Sequence, residues 1–133
     1  MSSIYDRLTG IWRSSYRYPS SSRDGEFTSE HYLRLKREGK HLIFESLPEG
    51  NESYVIIRLS IEGNIASGSW QEATNPGGYY KGALYYGVIQ MIIDKDGKNL
   101  RGKWLGFGKD EVVNAGPWEL SYIGETAPVL QMA

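Results

Sequence analysis

The chain has no cysteine. Disulfides and thiolate chemistry are therefore excluded. Histidine is nearly as scarce, with only His31 and His41 present. They have opposite strand parity and no HxH or HxxE spacing, so no metal site and no metal cofactor is expected. Neither sign of charge dominates: 15 Lys and Arg stand against 16 Asp and Glu, a net −1. No global field draws such a chain to nucleic acid or to an anionic membrane. No apolar run approaches the roughly 20 residues of a membrane-spanning helix. The first residues, MSSIYDRLTG, lack the apolar core of a signal peptide. These absences predict a cytoplasmic chain with no direct nucleic-acid or membrane contact. Helical periodicity is also nearly missing. Only residues 2–8, with Ile4, Tyr5 and Leu8, suit a single turn that lids one end.

What is present is alternation. The 133 residues suffice for one domain with a real core. From Gly10 onward, apolar and polar residues alternate between short turns. Eight strands are expected, at 10–18, 27–37, 41–47, 53–62, 65–73, 83–93, 100–107 and 117–123. Residues 1–9 form the lid and residues 124–133 a tail. Glu38-Gly39-Lys40, Glu62-Gly63-Asn64 and Asp96-Gly97-Lys98 carry tight-turn chemistry, because Gly and Asn accept positive φ at little cost. Short turns favour an all-β, up-and-down antiparallel meander. About eight strands is the number at which such a sheet closes around one small ligand.

Parity assigns the faces. Trp12, Ser14, Tyr16 and Tyr18 share one side of the first strand, and His31, Leu33 and Leu35 one side of the second. Val55, Ile57, Leu59 and Ile61 form an apolar row, as do Ile89, Met91 and Ile93. Leu100 and Trp104 pair on the seventh strand, and Trp118, Leu120 and Tyr122 on the eighth. These rows are predicted to face inward. Tyr16, Tyr18, His31, Glu72 and Tyr85 are the polar exceptions. All four tryptophans sit two residues after a glycine, at Trp12, Trp70, Trp104 and Trp118. The expectation is that Gly lets the sheet bend or another backbone approach, and that the indoles plug the barrel floor. Residues 1–40 hold a balance of +3 and residues 41–76 a balance of −4. A local basic patch around Arg13, Arg17 and Arg23 is therefore expected.

The densest chemistry lies in residues 68–90, GSWQEATNPGGYYKGALYYGVIQ. Glu72 follows Trp70 on one face of a strand. Asn75-Pro76-Gly77-Gly78 then breaks the pattern, and Tyr79, Tyr80, Lys81, Tyr85 and Tyr86 follow. Loops after the first, third, fifth and seventh strands share one end of an antiparallel barrel. That end collects residues 20–25, 48–52, 75–81 and 108–114, which are the longer loops. Gly106-Phe107-Gly108-Lys109 is not a Walker loop, although its amides with Lys109 suit an anion. There is no Gly-x-Ser-x-Gly elbow and no other recognisable catalytic motif.

A short Gly-x-Trp on the first strand of an eight-stranded meander resembles the lipocalin, avidin and wider calycin pattern. Three longer segments, LTGIWRSSYRYPSSSRDGEFTSEHYLRL, SGSWQEATNPGGYYKGALYYGVIQ and LRGKWLGFGKDEVVNAGPWEL, together resemble a small bacterial β-barrel domain linked to helix-turn-helix regulators. More loosely, they are similar to the sensor barrel of two-transmembrane antiphage effectors of the CBASS type. The resemblance implies a cyclic-dinucleotide ligand and a separate effector or regulator domain as partner.

The leading expectation is a non-enzymatic small-molecule receptor in bacterial signalling or antiphage defence. Tyr79, Tyr80 and Lys81 would bind at the mouth, with Tyr16, Tyr18, His31, Glu72 and Tyr85 on the wall beneath. Arg23, Lys81 and Lys109 would meet phosphate. The alternative is a small barrel enzyme of isomerase or cyclase type, using Glu72, His31 and tyrosines. A second alternative is an interaction barrel, or a homo-oligomer, pairing through Tyr32, Arg34, Lys36 and Tyr86.

Overall fold

In a computed structural model of the protein, residues 4, 8–19, 26–47, 53–74, 82–108 and 111–125 are described. Eight strands follow one another: β1 (Ile11–Pro19), β2 (Glu26–Glu38), β3 (His41–Ser46), β4 (Ser53–Glu62), β5 (Ile65–Thr74), β6 (Leu84–Ile93), β7 (Asn99–Phe107) and β8 (Asn114–Gly124). Each pairs antiparallel with the next, and β1 pairs with β8, so the sheet closes into a barrel. The last strand begins at Asn114, upstream of the expected start at Pro117. A proline at Pro117 interrupts donation on this strand without ending it, since Lys103 still stands opposite.

The turns sit where the sequence places them. Gly39, Gly63 and Gly97 adopt φ of 58°, 63° and 72°, the left-handed region that other L-residues enter only with strain. These turns fix the register of β2 with β3, β4 with β5 and β6 with β7. With register fixed, alternation sends one set of side chains inward. Leu33, Leu35, Phe44, Val55, Ile57, Leu59, Leu100 and Leu120 are fully buried. Ile4 joins this core from the N-terminal side, with Leu8 packed against it. The Thr9 amide donates to the Leu35 carbonyl at 2.9 Å, which ties the segment to the tight-turn end.

The indoles do not all plug one floor as expected. Trp12 alone lies toward the tight-turn end, edge-on to Phe44 and Tyr122 at 5.3 and 5.6 Å. Trp70, Trp104 and Trp118 fill the half nearer the longer loops, with Trp70 at 5.6 Å from Trp104 and 5.5 Å from Trp118. Their glycine seats come from other strands. A Cβ on Gly106 would lie 2.3 Å from the Trp70 ring, and one on Gly116 would lie 2.9 Å from Trp104 Nε1. The Gly-x-Trp spacing reports a different need. At Gly68 a Cβ would sit 1.7 Å from the Arg58 carbonyl oxygen, so the neighbouring backbone occupies that place.

The outer wall divides in two. On β1–β4 it is charged and cross-linked: Arg13 pairs with Glu30, Lys36 with Glu45 at 3.0 Å, and Arg58 with Glu38 at 3.2 Å. Arg13 is thus part of a mixed-sign face and not of a basic patch. No helix among the described residues is long and apolar enough to cross a membrane.

Candidate functional site

Inward polar groups gather at one level of the lumen, in the half nearer the longer loops. Four strands supply them. Tyr16 comes from β1, His31 from β2, Ser53 from the first position of β4 and Glu72 from β5, in register with Val55. The Tyr16 hydroxyl donates across the lumen to Glu72 Oε1 at 2.5 Å. The Ser53 hydroxyl donates to Glu72 Oε2 at 2.6 Å. Ser53 Oγ lies 2.7 Å from His31 Nε2.

With Glu72 ionised, counting protons assigns the histidine tautomer. A serine hydroxyl has one hydrogen, and here Glu72 receives it. Ser53 Oγ must therefore accept from His31, so the His31 proton is on Nε2. His31 Nδ1 is then a bare acceptor, buried with no partner among the described residues. The chain runs His31 to Ser53 to Glu72, with Tyr16 as the second donor to the same carboxylate. The imidazole also stacks on the Tyr16 ring, 5.9 Å between centroids and 2° from parallel. Tyr16 in turn rests on Trp118 at 4.4 Å. Trp118 is anchored by its Nε1–H, which donates to Ser14 Oγ at 2.7 Å.

Burial sets the charge states. It holds the His31 pKa down to about 4, so the ring is neutral near pH 7. Burial raises the Glu72 carboxyl above the ordinary value, against the opposing pull of the Ser53 and Tyr16 hydrogen bonds. Burial, then the Glu72 charge, pushes the Tyr16 hydroxyl well above its ordinary value. His31 Nε2 approaches Glu72 Oε2 to 3.9 Å, but a neutral ring offers no cation. Among the described residues, the Glu72 carboxyl is held by two hydroxyls and has no positive partner. Its side chain keeps 11% exposure. An inward side chain of a closed barrel reaches solvent only through an end, and Glu72 lies near the end of β5 that leads into residues 75–81.

Two half-buried rings stand beside this cluster. Tyr85 is opposite Glu72 in the β5–β6 register, and its ring occupies the place a Cβ on Gly108 would need, 2.5 Å away. Tyr18 lies one inward step beyond Tyr16, with 5.9 Å between their centroids. The structure thus brings together Tyr16, His31 and Glu72, with Tyr18 and Tyr85 alongside. Arg23, Tyr79, Tyr80, Lys81 and Lys109 lie outside the described residues. Tyr32, Arg34, Lys36 and Tyr86 face outward, as parity requires. His41 is exposed. No group of three or more potential metal ligands occurs among the described residues.

Ser53, the link between His31 and Glu72, is the residue sequence reasoning missed. The signal was available, because extending the row Val55, Ile57, Leu59 back by one inward step lands on Ser53. Comparison of the chain with protein-family models, curated proteins and solved structures finds no match.

Proposed function

We propose that the barrel is a non-enzymatic receptor for a small planar ligand bound at the end where the longer loops gather. The observation that carries this reading is Glu72. A carboxylate has about four lone-pair sites, and the described residues fill two of them. The remaining sites suit a ligand edge with adjacent N–H donors, such as the Watson–Crick edge of guanine. Tyr18 and Tyr85 offer faces for the same ring, at about 1–3 kcal/mol for each stacked base. A phosphate would depend on Arg23, Lys81 and Lys109. The resemblance to bacterial sensor barrels narrows the ligand to a cyclic nucleotide or dinucleotide, with a role in signalling or antiphage defence and a separate output domain.

Calorimetry and thermal shift against bases, nucleosides and cyclic nucleotides test this. A ligand at about 100 times its Kd adds roughly 2.7 kcal/mol of stability. Glu72→Gln should weaken it about tenfold to a hundredfold, the worth of a charge-assisted hydrogen bond of roughly 1.5–3 kcal/mol. Affinity unchanged in Glu72→Gln, Tyr18→Ala and Tyr85→Ala would remove the mouth as the site. One observation favours a second reading. Glu72 has a raised pKa and direct hydroxyl neighbours, as a general base would require. Turnover of a bound ligand that Glu72→Gln abolishes, with binding intact, would replace the receptor by an isomerase- or cyclase-type enzyme.

A further inference from the structure

The outer wall of β5–β7 differs from the charged wall of β1–β4. Among the described residues, nine large hydrophobic ones are exposed, and seven of them lie on β6, on β7 or in residues 112–113. On β6 these are Leu84, Tyr86, Val88 and Ile92, at 51, 43, 57 and 46% exposure. On β7, Leu105 is 48% exposed and stands opposite Val88, while Phe107 stands opposite Tyr86 with 4.8 Å between ring centroids. The other flank of β6, on β5, is uncharged and lower at two of its three outward positions. Ser69 faces Val88, Gln71 faces Tyr86 and Ala73 faces Leu84. From Ser69 to Ala73 on β5, from Leu84 to Gln90 on β6 and from Leu105 to Phe107 on β7, no outward residue is charged. Lys103 and Arg101 mark the boundary toward the tight-turn end.

We infer that this face is a two-fold interface between copies of this chain. Shape is the first argument. The large side chains of β6 form a ridge, and Ser69 and Ala73 on β5 leave a shallower trench beside it, with the flexible Gln71 between them. Under a two-fold axis each ridge meets the other copy's trench, the self-complementarity an isologous contact needs. Charge is the second. An uncharged face meets its own image without repulsion, whereas a charged partner would find nothing to pair with. Area is the third. Half-exposed side chains of this number present on the order of 500 Å² of apolar surface, near the upper end for any patch on a monomer. With the flanking β5 residues the face approaches the roughly 800 Å² per partner of a standard interface. The pairing leaves the Glu72 cluster untouched, since that cluster faces the lumen.

Sedimentation equilibrium on the full chain tests the inference. Wild type should show twice the 15.0 kDa chain mass at concentrations of about 10–100 μM. Val88→Lys should shift the mass to that of one chain with the far-ultraviolet circular dichroism unchanged, because the side chain is exposed. Tyr86→Glu is the second variant and should do the same. A wild-type mass of one chain up to about 1 mM would overturn the inference. It would also fall if the dimer survives both folded variants, and dissociation by Arg13→Glu would then place the contact on the charged wall.

Discussion

Replacing Glu72 by Gln should uncover a pH dependence of stability that the native pair partly conceals. His31 is the source. Its pKa is about 4 in the fold, against an ordinary value of 6.5. Between those values the unfolded chain binds more protons than the folded one, so stability falls as pH falls. At about 1.4 kcal/mol per pH unit, the full window costs roughly 3 kcal/mol. Glu72 runs the other way. Its folded pKa lies above the ordinary 4.5, so the folded chain retains a proton that the unfolded chain releases. That contribution is complete below the ordinary value and is lost as pH rises through the folded one. Where the two windows overlap, the slopes oppose. Gln removes the Glu72 slope while its amide oxygen still accepts from Tyr16 or Ser53. Urea denaturation followed by tryptophan fluorescence, from about pH 7.5 to about pH 4.5, reads the result. Glu72→Gln should lose roughly 2–3 kcal/mol across that range, wild type less, and the double variant with His31→Gln should be nearly flat. A flat Glu72→Gln profile, or a double variant that keeps the slope, would refute a neutral buried His31 as its origin.

Trp12 is fully buried against Phe44 and Tyr122, so Trp12→Ala should cost about 3–5 kcal/mol in urea denaturation. A loss under about 1 kcal/mol would mean the ring does not face the core. Gly68→Ala should destabilise by about 1–3 kcal/mol or more despite adding one methyl, because β4 must move off its Cβ; an unchanged midpoint would contradict that close approach. Arg13→Ala should change stability by less than about 1 kcal/mol, since both partners of the Arg13–Glu30 pair are half-exposed. A larger loss would show that this pair belongs to a more rigid network.

Local chemistry determined the barrel wall. Alternation with period 2 made each strand amphipathic, and turn glycines at Gly39, Gly63 and Gly97 set the register that made the faces count. Trp12, Leu33, Ile57 and Leu120 are inside for that reason alone. The same parity placed Tyr16, His31 and Glu72 inside as separate polar exceptions. It could not say that they meet. Tyr16 and Glu72 are 56 residues apart and come from strands on opposite sides of the closed sheet. Whether two such side chains reach each other depends on barrel diameter, strand tilt and stagger, which belong to the closed sheet as a whole. Ser53 passed unnoticed because a serine at a strand's first position reads as a boundary, until closure puts it between an imidazole and a carboxylate. The indoles tell the same story. Their inward direction was local, but their seats on Gly106 and Gly116 arose only when neighbouring strands were brought side by side.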